Sequence, residues 1–146
     1  MTRLFVFRFV LATLYLAALT HSALGQTTTR PLRVLSYGPE GEVASLVEAN
    51  EIRVVFSEAM VTLGRIPAHV RAPYFRVSPA IAGTFRWSGT TILVFTPDPK
   101  RPLPLATKYE VTIDATATAI SGRRLAQAHR FTFTTPTVKL LQTNWY

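Results

Sequence analysis

Tyr74-Phe-Arg-Val-Ser-Pro79 opens a series of five short runs that decides the fold of this 146-residue chain. Apolar and polar residues alternate in most of these runs, and Pro or Gly separates each run from the next. Alternation of this kind is typical of strands that bury one face and expose the other. No apolar repeat of helical period persists after residue 25, so we predict an all-β protein with an antiparallel β-sandwich. The other four runs are Gly83-Thr-Phe-Arg-Trp87, Thr91-Ile-Leu-Val-Phe-Thr-Pro97, Thr107-Lys-Tyr-Glu-Val-Thr-Ile-Asp114 and Arg130-Phe-Thr-Phe-Thr-Thr-Pro136.

The alternation also predicts which side chains fill the space between the sheets. Each large ring stabilises the fold by roughly 1.5–3 kcal/mol when buried, so the rings dominate the expected core. Arg86, Lys108 and Arg130 fall on the opposite, outward side of the same strands. The predicted inward residues are Phe56, Phe85, Trp87, Phe95, Tyr109, Phe131 and Phe133.

Two further strands are predicted upstream of these runs. The first spans Leu32 to Tyr37 and stops at Gly38-Pro39. The second spans residues 50–56, and its face with Arg53 and Val55 is predicted to be wet or only partly covered. The opposite face carries Ile52, Val54 and Phe56.

Pro and Gly mark the predicted connections. Residues 60–73 form a long connection, with or without a short edge strand. The four prolines of residues 97–104 cannot donate to a central ladder, so this segment is predicted to cross between the sheets as a loop. Ser121-Gly122 is a predicted turn.

The first 25 residues are predicted to form a cleavable signal peptide helix. Arg3 and Arg8 supply the positive start, an apolar stretch follows, and Ala23-Leu-Gly25 supplies the small residues before a cleavage site at Gln26. An uncleaved anchor is the alternative, but the uncharged stretch 9–20 is shorter than the roughly 20 residues that cross a bilayer. We therefore expect an exported protein, periplasmic or extracellular, with no stable membrane anchor after cleavage. Residues 26–30 are a polar lead-in.

Composition narrows the chemistry further. After cleavage, 14 of the 16 Lys and Arg residues remain against 8 Asp and Glu, which gives a net charge near +6. The chain has no Cys, so disulfides, thiolate metal sites and a lipid-modified cysteine are excluded. A mature chain of about 120 residues can bury enough apolar surface to fold without disulfides.

Residues 137–146 begin a new extended, apolar segment after Thr135-Pro136. It is interpreted either as a terminal strand of the sandwich or as the first strand of a following domain that is cut short. The second interpretation is favoured, because an uncovered apolar strand end is an aggregation liability that proteins normally avoid. The predicted Ig-like domain itself is residues 31–136.

The order of these residues resembles a known pattern. Ile52-Arg-Val-Val-Phe-Ser-Glu-Ala-Met60 is similar to the opening of bacterial Ig-like domains of the SbsA type, and the later runs follow in the expected order. The same order, with Thr135-Pro-Thr-Val138 and Asn144-Trp-Tyr146, resembles the N-terminal region of bacterial alpha-2-macroglobulin-like proteins. The resemblance implies an Ig-like sandwich in a large exported protease trap, with following domains of the same protein, and proteases, as partners.

The functional parts of such a trap are missing from these 146 residues. Without Cys there is no Cys-x-Glu-Gln thioester, and there is no bait region. We therefore predict a non-catalytic structural or interaction module, with a free-standing Ig-like envelope or adhesion module that uses a basic face as the alternative.

Catalytic, metal and cofactor sites are all predicted to be absent. His69 and His129 are the only histidines after residue 25, and His129 is interpreted as an exposed strand-edge residue. It could approach Asp114 across a hairpin, but no nucleophile elbow accompanies the pair. Two isolated histidines without a carboxylate cluster leave zinc and calcium without ligands.

Charge is unevenly distributed along the chain. Residues 38–58 hold five Glu and one Arg, whereas residues 59–108 hold seven Lys or Arg and one Asp. The Arg residues that interleave with aromatics point away from the rings, so a nucleic-acid face is not expected. Glu40 and Glu42 are interpreted as a solvated turn, and Arg123-Arg124 as a hairpin tip.

Overall fold

The computed structural model describes residues 30–137, and eight strands lie in this part of the chain. The predicted signal peptide helix and most of the apolar segment 137–146 fall outside the described residues. Contacts divide the chain between Arg30 and Pro31, and the eight strands follow Pro31. Their bounds are β1 Val34–Gly38, β2 Gly41–Glu42, β3 Ile52–Phe56, β4 Phe75–Ser78, β5 Gly83–Ser88, β6 Ile92–Pro97, β7 Lys108–Ile113 and β8 His129–Thr134.

The strands form two four-stranded sheets, and the all-β, Ig-like sandwich prediction is confirmed. The first sheet has the order β1-β3-β6-β5 and the second has the order β2-β8-β7-β4. The proline-rich segment after Pro97 leads from β6 in the first sheet to β7 in the second, as predicted for a crossing loop. Every pairing is antiparallel except that of β2 with β8, which is parallel.

The core lies between the sheets and is built from the alternating positions. Ile52, Val54 and Phe56 are buried on one side of β3, and the aromatic residues of β7 and β8 are buried opposite them. Phe85 is partly buried and packs against this core. The predicted inward set is thus correct, and stacked or edge-on rings such as Tyr109 and Phe133, 5.1 Å apart, fill the centre.

The first strand begins later than the sequence predicted. Leu32 is not part of β1, because its backbone pairs in a single parallel bridge with Leu125 instead. The Leu32 amide donates to the Arg124 carbonyl over 3.0 Å, and the Leu32 side chain is buried. The chain then crosses to the first sheet at Val34, so the prediction of one strand over Leu32–Tyr37 is wrong at its start.

Gly41 and Glu42 also differ from their predicted role. They are exposed, as a solvated turn requires, yet they form the short strand β2 beside Phe133 and Thr134 of β8. The Val43 amide continues this ladder by donating to the Thr134 carbonyl over 3.0 Å. A two-residue strand carries too little alternation for a sequence pattern to reveal it.

The Phe-Ser-x-x-Met motif has a structural role at one end of the sandwich. The Ser57 hydroxyl accepts a hydrogen bond from the Arg33 amide at 3.0 Å. The Glu58 carboxylate accepts hydrogen bonds from the Ser121 hydroxyl at 2.6 Å and from the Arg123 Nε at 2.9 Å. The motif therefore ties β3 to the start of the domain and to the turn after β7.

Thr135 fastens the opposite end. Its side chain is fully buried, and its hydroxyl donates to the Pro104 carbonyl over 2.7 Å while accepting from the Thr107 amide at 2.9 Å. A buried hydroxyl with both functions satisfied stabilises its surroundings, and losing a partner there costs about 1–3 kcal/mol. The end of β8 is thereby held against the segment that leads into β7.

Gly83 is required at the start of β5 for steric reasons. A Cβ atom added there would lie 2.4 Å from the Thr96 carbonyl oxygen and 2.5 Å from the Phe95 ring. No side chain fits at these distances, because β5 and β6 approach closely at this point. Packing within the first sheet therefore explains why the run Gly83–Trp87 begins with a glycine.

Candidate functional site

A groove runs along the outer face of the first sheet. It has a volume of about 1100 Å³ and is open to solvent. The strands β1, β3, β5 and β6 form its floor, and two irregular segments form its walls. The lining includes Ser36, Val55, Arg86, Ser88, Ile92, Val94, Pro99 and Leu103.

The floor of this groove is an apolar stripe. Val55 of β3 and Ile92 of β6 face each other in one row, with Ser36 and Ser88 opposite them on the flanking strands. Both apolar side chains are half-buried, and Val94 in the next row is only 1% exposed. Val94 does not belong to the hydrophobic core cluster between the sheets, although it is buried as deeply as those residues. The outer face of this sheet therefore has apolar packing of its own.

An ionic bridge covers Val94. Arg53 of β3 and Arg86 of β5 flank Val94 in the same row of the sheet. The Arg53 Nε lies 2.9 Å from one oxygen of the Glu51 carboxylate, and an Arg86 guanidinium nitrogen lies 2.7 Å from the other. Because both guanidinium groups reach one carboxylate, the bridge crosses above Val94. The hydrogen bonds from Arg53 and then from Arg86 lower the pKa of Glu51 below its ordinary value.

Two segments wall the groove. Residues 45–50 form a turn in which the Ala49 amide donates to the Leu46 carbonyl over 3.1 Å, and the buried Ala49 side chain anchors the turn. The second wall is the proline-rich segment 97–103. Both walls present mainly apolar and proline side chains, so the groove offers apolar contact with charged groups at fixed positions along it.

His129 is not the exposed strand-edge residue that the sequence predicted. Positions 129, 131 and 133 of β8 point to the same side, so the imidazole faces inward with Phe131 and is half-buried. Its ring lies 4.8 Å from the Tyr37 ring, edge-on, and its Nε2 atom is buried with no hydrogen-bond partner among the described residues. Burial lowers the pKa of His129, and the nearby Glu40 carboxylate opposes that shift.

Asp114 does not form a pair with His129. Its carboxylate accepts hydrogen bonds from the Thr116 amide at 3.1 Å and from Arg76 at 2.7 Å. The Thr116 hydrogen bond is the largest cause of the lowered pKa of Asp114. His69 is exposed on a loop. Within residues 30–137, no three His, Asp or Glu side chains are grouped so that they could hold a metal ion.

The outer face of the second sheet is polar. Thr112 and Arg130 share a row with Arg76, and Glu110 and Thr132 share the next row with Ser78. Arg76 and Arg130 point outward, as predicted, and both are exposed. None of these positions lines the groove, which lies on the first sheet.

The acidic and basic stretches of the sequence meet in space. Glu51 pairs with Arg86, and Glu58 pairs with Arg123 at 2.9 Å, so carboxylates of the acidic stretch hold arginines from later in the chain. Arg124 stays exposed beside the turn. The charge asymmetry along the chain is thus partly cancelled where the two stretches touch.

Sequence reasoning missed the burial of Val94 and the role of Glu51. A signal for the first was present, because Ile92-Leu-Val-Phe95 is a run of four apolar residues rather than an alternation. Such runs indicate a strand covered on both faces. The bridge from Glu51 has no comparable signal, since it joins residues 35 positions apart.

This fold defines the chain as an Ig-like β-sandwich protein with one grooved outer face. The family described as Bacterial Ig-like domain (Big_5) matches residues 28–135, and the chain belongs to that family. No curated protein sequence matches it. In residues 30–137 there is no helix with the length and apolar character needed to span a membrane.

Several solved structures are similar over part of their length. L,D-transpeptidase 3 from Mycobacterium tuberculosis is 22% identical, with a TM-score of 0.45, over 70% of this chain and 37% of that chain. An L,D-transpeptidase from Mycobacterium smegmatis is 21% identical, with a TM-score of 0.45, over 73% of this chain and 41% of that chain. This chain therefore spans about two fifths of the length of these enzymes, and no function is transferred from them.

Proposed function

We propose that this chain is a non-catalytic Ig-like structural and interaction module of an exported, cell-envelope protein, and that the groove on its first sheet is the recognition surface. The observation that carries the proposal is the outward apolar stripe of Val55, Ile92 and Val94 beneath charged side chains. The core between the sheets does not need this stripe, since the inward residues already fill that space. The half-buried Val55 and Ile92 remain available to a partner.

The shape and chemistry of the groove suit an extended peptide segment. Apolar side chains of such a segment would contact the floor, and Arg53, Glu51 and Arg86 would fix its direction through polar contacts. Recognition of this kind combines apolar contact with a few placed polar groups. No covalent step is involved, which agrees with His129 facing Tyr37 and Phe131 instead of solvent.

The absence of Cys allows a clean test of the recognition surface. Ser88→Cys places a single thiol in the groove, and Ser78→Cys places one on the polar outer face of the second sheet. Both serines are exposed, so both variants should fold. With a thiol-linked photo-crosslinker in envelope preparations, Ser88→Cys should give a discrete adduct that Val55→Asp abolishes. Equal labelling from both positions, or none from Ser88→Cys, would reject the groove as the recognition surface.

A narrower proposal places the module at the front of a macroglobulin-like endopeptidase inhibitor. Its support is the sequence order from Ile52 to Tyr146. An antibody against residues 31–137 should then detect a native product far larger than 16.2 kDa. Residues 26–146 alone should trap no protease, because they lack the thioester and the bait region.

The second candidate is a free-standing envelope or adhesion module that acts through its basic surface. Exposed arginines without an ion pair among the described residues, such as Arg71 and Arg130, favour it. A native product of single-module size would support this candidate over the inhibitor. In either case the mature protein should begin at Gln26, which N-terminal sequencing of the exported product can check.

A further inference from the structure

A loop at one end of the sandwich exposes apolar side chains on a tight turn. Leu63 is 81% exposed and Ile66 is 44% exposed. The Arg65 amide donates to the Thr62 carbonyl over 3.1 Å, and Gly64 has a φ of 81°, so the turn is hydrogen-bonded and holds Leu63 outward. A single exposed leucine is ordinary. Two such side chains within four residues of a tight turn instead form a small apolar projection.

The formally charged side chains within residues 59–71 are two arginines, Arg65 and Arg71. The sequence has no carboxylate between Glu58 and Asp98. Arg65 and Arg71 are both exposed, and neither forms an ion pair among the described residues. Glu58, the nearest acidic residue before the loop, is already held by Arg123. The loop therefore attracts anions without local competition.

A second loop extends the same end of the domain. The Ile120 amide donates to the Ala59 carbonyl over 2.9 Å, which joins the 119–124 turn to the start of the first loop. Ile120 is 55% exposed, and Arg124 is also exposed. The surface made of residues 59–71 and 119–124, here called the cationic tip, thus carries exposed apolar groups and unpaired arginines on adjoining loops.

We propose that the cationic tip docks on a membrane surface rich in anionic lipid headgroups, with Leu63 and Ile66 entering the interfacial layer. Arginines that bind headgroups next to apolar side chains that enter the interface are the combination that such surfaces recognise. Residues 61–69 contain no Phe, Tyr or Trp ring on which a nucleic-acid base could stack. A few projecting side chains are also too small an area for a stable protein interface. The contact is peripheral and reversible, which distinguishes it from an anchor.

Vesicle sedimentation tests this proposal with the chain from Gln26 to Tyr146. Binding should increase with the fraction of phosphatidylglycerol in phosphatidylcholine vesicles and weaken as salt is raised. Arg65→Gln and Arg71→Gln should each weaken binding roughly fivefold. Leu63→Ser should weaken it by about tenfold or more, because an apolar side chain no longer leaves water.

Matched controls separate the tip from the rest of the surface. Val47→Ser removes an equally exposed apolar side chain from the groove wall, at 75% exposure, and Lys108→Gln removes an exposed cation from the second sheet. Neither should change binding by more than about twofold. Thermal melts of all five variants should match the parent chain, because each replaced side chain is exposed.

Three results would overturn the proposal. Equal losses of vesicle binding from Val47→Ser and Leu63→Ser would show that the tip is not the binding site. Binding that does not change with the phosphatidylglycerol fraction would show that headgroup charge does not contribute. Equally tight binding to soluble polyglutamate, sensitive to Arg65→Gln but not to Leu63→Ser, would assign the tip to an acidic polypeptide instead. The groove-crosslinking result is independent of all three, since Ser88 and Leu63 lie on different surfaces.

Discussion

The two sheets of this sandwich bury their inner faces alike but differ on their outer faces. Outside the first sheet, Val94 is buried beneath the Arg53–Glu51–Arg86 bridge and the floor of a groove is apolar. Outside the second sheet, threonine, serine and charged side chains alternate with the core positions. Among residues 30–137, apolar packing on both sides is therefore found in the first sheet only.

This difference shows where an Ig-like sandwich can hold apolar side chains outside the core between its sheets. Two connecting segments wall the outer face of the first sheet, so its apolar side chains are partly shielded, and Val55 and Ile92 stay half-buried. On the second sheet the outward side chains of the described residues are polar. The proposed recognition surface and the polar surface thus lie on the outer faces of different sheets.

The largest expected effect tests whether the inner faces are equivalent. Trp87→Ala in the first sheet and Phe133→Ala in the second should each lower the free energy of unfolding by about 3–5 kcal/mol, because both rings are buried. Thermal or urea denaturation measures this loss. An unchanged melting temperature for Trp87→Ala would place this ring on the surface. It would contradict the claim that both sheets bury their inner faces alike.

A smaller loss is expected at the edge of the first sheet. Gly83→Ala forces a methyl group against the Thr96 carbonyl and should cost about 1–3 kcal/mol, since β5 must move away from β6. Ser78→Ala at the edge of the second sheet is the control and should stay within about 0.5 kcal/mol, because Ser78 is exposed. Similar values for the two variants would contradict the close approach at Gly83.

The outer faces are compared directly by removing one side chain from each. Val94→Ala should cost about 1–2 kcal/mol, since it removes two buried carbons beneath the ionic bridge. Thr132→Ala on the second sheet should change the free energy of unfolding by no more than about 0.5 kcal/mol. Urea denaturation measures both values. Equal losses of unfolding free energy for Val94→Ala and Thr132→Ala would show that the burial of Val94 does not stabilise the fold.

The smallest effect is a pH dependence at His129. Burial lowers the pKa of this imidazole in the folded state, so the unfolded chain binds the proton more readily. The stabilising contribution is complete above about pH 6.5 and is lost as pH falls through the lower, folded pKa. His129→Phe keeps a ring against Tyr37 and removes the titration.

Urea denaturation between pH 5 and pH 7.5 measures this slope. The pKa values of Glu51 and Asp114 are lowered from 4.5 and 3.8, so these two carboxylates do not titrate in the window. The parent chain should lose stability toward pH 5, and His129→Phe should lose less. If the unfolding free energy changed equally with pH in both proteins, burial of His129 in the folded state would make no contribution to the pH dependence.

Local alternation was sufficient to predict the sandwich and its core. Tyr109, Val111 and Ile113 face inward because strand geometry alone assigns them to one side. The same reasoning failed where long-range contacts decide the outcome. Leu32 joins Leu125 rather than β1, and His129 turns inward because the side of β8 that it shares with Phe131 is the buried one.

The candidate site was less accessible to sequence reasoning than the fold. Arg53 and Val55 were correctly assigned to an outward face that is at most partly covered. The walls could not be foreseen, because irregular segments such as 97–103 carry no periodicity that indicates which surface they cover. Only the apolar run at residues 92–95 indicated that the outer face of this sheet is covered.

The parallel pairing of β2 with β8 has a mechanical consequence. The domain begins with β1, which β2 follows directly, and it ends with β8, so once β1 has detached, tension on the two ends of the domain pulls β2 and β8 in opposite directions along their axes. The hydrogen bonds of Gly41, Glu42 and Val43 are then strained together and must break together. Stretching a tethered single molecule should give one sharp rupture, at a force that Val43→Pro reduces.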